Sequence, residues 1–150
     1  MQIQGEKRFE ARPAEVYRAL TDPDALGEAF AAIERVEADG NHWTLFIRLP
    51  LLGGVQLKFS VDLEELREPE HARLRARGKT FGGGISVDST FDLAPDDGGG
   101  TLMRWSAEVD ATGLASGLGS QSLGAVATKH ADRALDRIAR SLEQAPATEV

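Results

Sequence analysis

The spacing of apolar and polar residues changes period twice along this chain. Residues 2–10 have strand character, and Arg12-Pro13-Ala14-Glu15 then opens a helix, because proline suits the first helical position and an acid in the first turn suits the helix dipole. Val16, Tyr17 and Leu20 share one side of that short helix. Thr21-Asp22-Pro23-Asp24 repeats the start signal, with Asp22 as cap and Pro23 as first residue of a second short helix that carries Leu26, Ala29, Phe30 and Ile33. From residue 33 to 112 the period is two. Ile33–Ala38 forms a strand turned at Asp39-Gly40-Asn41, and Trp43, Leu45, Ile47 and Leu49 share a face of the next one, where Phe46 breaks the alternation. Val55, Leu57, Phe59, Val61 and Leu63 alternate with polar residues, as do Ala72 to Gly78, Ile85 to Leu93 and Met103 to Ala111. Turns fall at Glu68-Pro69-Glu70 and Asp96-Asp97-Gly98-Gly99-Gly100.

The period then lengthens to 3.6. Leu123, Val126, Ala127, His130, Ala134, Leu135, Ile138 and Leu142 form one stripe of a helix from about Ser116 to Glu143, ~40 Å long at the usual rise. The predicted order is one strand, two short helices, six strands and one long helix, in an α+β domain. Each later strand has one polar face, which predicts an antiparallel sheet with one wet side, and the long amphipathic helix is the cover for the other.

These residues resemble the CoxG-like family of carbon monoxide dehydrogenase subunits, within the helix-grip, START-like (SRPBCC) superfamily. The matching features are Ile3-x-Gly5-x-x-x-Phe9, then Pro13-x-Glu15-Val16-Tyr17, where the family usually has Trp at the last position, and Asp22-Pro23-x-x-Leu26. Gly78-Lys79-x-x-Gly82-Gly83-Gly84, the Gly99-Gly100-Thr101 turn and the glycine-rich approach to the final helix also match. The family commonly has Cys-x-Pro-Gly after its second helix, where this chain has Ala29-Phe30-Ala31-Ala32. The resemblance implies a seven-stranded curved antiparallel sheet with two short helices after strand 1 and a long C-terminal helix. A helix-grip domain is expected over residues 1–143, and the short, polar stretch 144–150 is expected to be a disordered tail. The resemblance also implies a cavity for a lipid-like or quinone-like molecule, and an association with molybdenum-dependent carbon monoxide dehydrogenases in membrane recruitment or assembly.

Composition narrows the function. A chain of 150 residues, 41% hydrophobic and 27% charged, suits one globular domain. It has no cysteine, which removes disulfides, thiol catalysis and thiolate-held metals. The net charge of −7 argues against nucleic acid as a partner. The first residues lack a signal region, and no apolar run approaches the ~20 residues that span a bilayer, so a cytoplasmic location is expected.

Candidate chemistry concentrates at one end and one face of the sheet. The turns near 52, 82 and 113 share an end and carry Leu51, Leu52, Phe81 and Leu114 among glycines, while the opposite turns are polar. The apolar tips read as a mouth that admits an apolar ligand or touches a membrane or partner; the alternative is that they fold back and pack on one another. Leu57, Phe59, Phe91, Met103, Trp105 and Val126 are the candidate walls of a cavity, with plain core packing as the alternative for each. Small residues on both layers (Gly5, Ala72, Ala76, Gly78, Ala107, Ala111; Ala127, Ala131, Ala134) mean either a cavity or a close helix–sheet approach.

His130 lies on the apolar helical stripe, where it can hydrogen-bond a ligand carbonyl or act as a base; the alternative is a histidine satisfied by a neighbour or water. His42 and His71 sit at polar turns and read as surface residues, and the three histidines have no ligand spacing, so neither a metal nor a cofactor is expected. Gly117-x-Gly119-x-x-Ser122 lacks the following βαβ unit of a dinucleotide site. Arg73, Arg75, Arg77 and Lys79 are expected to pair with acids on adjacent strands. The function expected is a non-catalytic module for a hydrophobic small molecule. Its alternatives are a polyketide cyclase or dehydratase-like enzyme, with His130, Lys7 and Tyr17 as the inward acid–base candidates, and an adaptor that binds a protein partner without ligand.

Overall fold

Proline and aspartate set the start of the chain's architecture. Pro13 opens helix α1 (Pro13–Leu20), which buries Val16, Tyr17 and Leu20. Asp22 caps α2 (Pro23–Ala29) by accepting a hydrogen bond from the Asp24 amide at 3.0 Å. These helices follow strand β1 (Gln2–Phe9) and precede β2 (Ile33–Asp39), β3 (His42–Arg48), β4 (Gln56–Arg67), β5 (His71–Thr80), β6 (Gly83–Pro95) and β7 (Thr101–Gly113); helix α3 (Ser120–Gln144) closes the chain. This computed structural model describes residues 1–48, 56–80, 82–113 and 120–144. The expected mouth residues Leu51, Leu52, Phe81 and Leu114, and the tail beyond Gln144, lie outside the described residues.

The strands form one curved sheet in the order β1-β7-β6-β5-β4-β3-β2, every neighbouring pair antiparallel. The alternation read from the sequence sets which side of each strand is buried. In β4, Leu57, Phe59, Val61 and Leu63 are buried while Gln56, Lys58, Ser60 and Asp62 are exposed. Phe46, which breaks the β3 pattern, lies under the Arg35 guanidinium at 4.1 Å, with the Lys58 ammonium 6.0 Å from its ring. Cations on the polar face thus shelter it.

A bulge interrupts β4. The register with β5 shifts between Glu64 and Arg67, and Glu65 takes a positive φ of 51°. Simple alternation would send Glu65 inward, and the bulge leaves it exposed, where it meets His71 and Arg73. Arg73 Nε donates to Asp88 at 2.8 Å, and Arg75 approaches Glu64 and Asp88, so this part of the arginine row is charge-paired as expected. His42 is exposed, whereas the His71 side chain is only 13% exposed between Glu65 and Asp92, so it is not the surface residue its turn position suggested.

Seven strands at ~4.8 Å spacing span about 29 Å, while a helix with its side chains is ~10 Å wide. One helix therefore cannot cover the whole inner face. Helix α3 contacts β1, α1 and α2, and α1 also reaches β6. The main core lies there, with Phe9, Val16, Tyr17, Phe91, Met103, Ala134 and Ile138. Two smaller clusters lie toward the other edge: Leu57, Phe59 and Ile85, and Trp43, Val61 and Leu63.

Candidate functional site

Between α3 and the β1-β7-β6 half of the sheet lies a cavity of about 320 Å³. Its sheet wall includes Val87, Ser89, Phe91, Met103, Trp105 and Ala107, and its helix wall Ala127, His130, Ala131, Ala134 and Ile138. Leu20 and Leu26 close it from α1 and α2, Phe30 from the residue just after α2, and Ile3 from β1. The 3.6 spacing of α3 accounts for the helix wall, because positions 127, 130, 131 and 134 lie on one face. Three small residues among those four hold the helix wall back from the sheet.

The cavity gathers Phe91, Met103, Trp105 and His130, four of the residues singled out from the sequence. It does not gather Leu57 and Phe59, which pack with Ile85 in the adjoining cluster. Both lie on β4, one strand beyond Leu74 of β5, which also lines the cavity. Val126 is half-buried on α3 and is not part of the wall. Ile3, Leu20, Leu26 and Phe30 complete the cavity and were not singled out. The apolar spacing of Leu26 and Phe30 on the second helix was the available signal.

Polar groups in the wall are few. The Ser89 hydroxyl donates to the Leu74 carbonyl at 3.1 Å, and Thr90 Oγ1 lies 3.3 Å from Ser106 Oγ. His130 is half-buried, and its ring nitrogens have no hydrogen-bond partner among the described residues. Burial lowers its pKa below the ordinary histidine value, with the Arg133 and Lys129 charges adding to the effect. The imidazole is therefore neutral at neutral pH, with one ring nitrogen able to donate and the other to accept.

The other inward acid–base candidates sit elsewhere. Lys7 turns to the surface, where its ammonium meets Asp136 at 2.5 Å. Tyr17 is buried behind the cavity wall, edge-on to Phe91 with ring centres 5.9 Å apart. Its hydroxyl has no partner among the described residues, and burial, with the Glu68 charge, raises its pKa. Among the described residues no cluster of three or more His, Asp or Glu could hold a metal ion, and no helix is long and apolar enough to cross a membrane.

The sequence matches the carbon monoxide dehydrogenase CoxG family over residues 5–143. The chain belongs to that family. No curated protein matches this CoxG-family chain. Solved structures do resemble it. A conserved protein from Geobacillus kaustophilus aligns with a TM-score of 0.88 at 17% identity, covering 96% of each chain. A Thermus thermophilus protein gives 0.77 at 15% identity, covering 97% of this chain and 99% of its own. A START superfamily protein from Mycobacterium smegmatis gives 0.74 at 15% identity, covering 94% of this chain and 98% of its own. At these identities the likeness is one of fold: the CoxG-family domain has the START-like, helix-grip architecture.

Proposed function

We propose that this CoxG-family domain is a non-catalytic binding module that holds one apolar, lipid-like or quinone-like molecule between its sheet and α3, as a cytoplasmic accessory to a molybdenum-type dehydrogenase. The observation that carries this reading is the composition of the cavity wall: aliphatic, aromatic and alanine side chains, with the Ser89 and Thr90 hydroxyls and one imidazole, His130, that has no hydrogen-bond partner among the described residues. Pockets of this kind bind by burying apolar surface and orient the ligand through a few polar groups. His130 supplies such a group, and Trp105, Met103 and Phe91 supply contact area. A volume of about 320 Å³ is near the small end of ligand pockets, which suits a fused-ring system or a short acyl chain better than a two-chain lipid. Phe30, in the stretch that departs from the family's Cys-x-Pro-Gly, contributes to the wall.

The test is native mass spectrometry of the purified protein followed by organic extraction, with titration of the uncharged fluorophore 1-N-phenylnaphthylamine alongside. The expected result is one apolar molecule per chain, saturable probe binding, and loss of that binding in Ala131→Phe, which fills the cavity from the helix side. A folded protein that carries nothing and does not bind the probe overturns the reading and favours a ligand-free adaptor.

A further inference from the structure

The cavity has a thin side. β1 is an edge strand, paired with β7 alone, so no further strand seals the gap between it and α3. Along that gap runs a surface groove of about 660 Å³, bounded by Met1, Gln2 and Ile3 on one side and by Gly124, Thr128 and Asp132 on the other. Ile3 lines both this groove and the cavity. On α3 the groove residues Thr128 and Asp132 each follow a cavity residue, Ala127 and Ala131. One side chain of β1 therefore separates the two spaces.

We infer that the β1–α3 seam is the portal through which the ligand reaches the cavity, and that Ile3 is the gate residue. This rests on the reading that the cavity holds an apolar ligand. Three features define the seam. Gly124 brings α3 close to the strand: a Cβ there would lie 2.7 Å from Met1 Sδ and 3.9 Å from Ile3 Cγ2. The next position on the Ile3 side of β1 is Gly5, which has no side chain of its own and is covered from β7 by the indole of the cavity-wall residue Trp105. Beyond it the seam is clipped by the Lys7–Asp136 ion pair, whose side chains are 28% and 54% exposed. Exposed ion pairs are weak clasps. Displacing Ile3 breaks no strand ladder, because its backbone stays paired with Ala107 while the side chain turns.

The absence of cysteine makes a cross-link unambiguous. In Ile3→Cys/Gly124→Cys, oxidation should tie the seam shut. Uptake of 1-N-phenylnaphthylamine, followed by stopped-flow fluorescence, should then slow by roughly tenfold or more, and recover on reduction of the same sample. Equal rates in the oxidised and reduced forms, with the disulfide verified by mass, overturn the inference. Should the cross-link not form, Ile3→Trp is expected to slow both uptake and release, and Ile3→Ala to speed both; rates unmoved in the two variants overturn it equally. Failure of the parent chain to take up the probe at all refutes the binding reading instead, and the portal falls with it.

Discussion

The indole of Trp105 on β7 covers Gly5 on β1: three of its ring atoms lie 2.9, 2.9 and 3.0 Å from the point where a Cβ on Gly5 would stand. Phe59 covers Gly78 in the same way from the neighbouring strand, with ring atoms 2.6 to 2.7 Å from the corresponding point. Each glycine is the space into which an aromatic ring settles. A single added methyl must push the ring aside. Gly5→Ala and Gly78→Ala are each expected to destabilise the fold by about 1–3 kcal/mol, as overpacking does. Denaturant unfolding measures this, and a midpoint unchanged in both variants would show that the rings shift freely.

Trp105 lines the cavity and Trp43 does not, lying 2% exposed in a separate cluster. The chain has two tryptophans, so Trp43→Phe leaves Trp105 as the sole indole. Saturation of that variant with an apolar ligand is expected to change the emission of Trp105. An emission spectrum indifferent to a bound ligand would place the binding somewhere other than this cavity.

The Tyr17 hydroxyl is buried with no partner among the described residues. A hydroxyl in that condition costs about 1–3 kcal/mol of desolvation that nothing offsets. Tyr17→Phe keeps the edge-on packing against Phe91 and removes the polar atom. The variant is expected to match or exceed the parent in stability, by up to ~1 kcal/mol. A clear loss of stability in thermal unfolding would mean that the hydroxyl has a partner in solution.

His71 joins β4, β5 and β6, with Nε2 at 2.9 Å from Glu65 and Nδ1 at 2.8 Å from Asp92. The Glu65 hydrogen bond and then Asp92 raise its pKa against the opposing effect of burial. A group whose folded pKa lies above its unfolded value stabilises the fold fully below the unfolded value, ordinarily about 6.5, and loses that contribution as pH rises through the folded value. Glu65 is held below the usual carboxylate range, chiefly by hydrogen bonds from His71 and Arg73, so the partner stays charged into mildly acid solution. The difference in melting temperature between the parent and His71→Gln is therefore expected to be greatest near pH 6 and to shrink as the pH rises through the raised folded value. A difference constant across that range would show that the charge on His71 adds nothing.

The strand faces, both short helices and the stripe on α3 were legible because each depends on near neighbours in sequence. Leu57 to Leu63 alternate in the chain and in the sheet alike, and Asp22 caps in place because the cap needs only the next two residues. The cavity was legible in part. Phe91, Met103, Trp105 and His130 converge on it because inward strand positions and the helical stripe must face each other. The same logic could not exclude Leu57 and Phe59, since sequence says which face a residue takes but not which residues one helix can cover.

Tertiary pairs were the least legible. The small residues at 5 and 78 suggested empty space or close packing of layers, and both positions instead receive rings from adjacent strands. The bulge at Glu65 carries no glycine or proline of its own, so nothing announced that this carboxylate would turn outward to His71 and Arg73. Lys7 looked inward by alternation, but its long side chain reaches out to Asp136.

The pairing of β1 with β7 joins the first and last strands, Ile3 opposite Ala107, while every other ladder is a local hairpin. Such a contact closes a loop of most of the protein and gains nothing until the distant strand has been made. The cavity draws its walls from Ile3 at one extreme and Ile138 at the other. The row of hairpins from β2 to β7 can thus form by local pairing, but the chain owns a binding site only once α3 has been made and has docked. Ligand, where it binds, acts on the last step of folding and rewards the closure of β1 rather than the formation of the sheet.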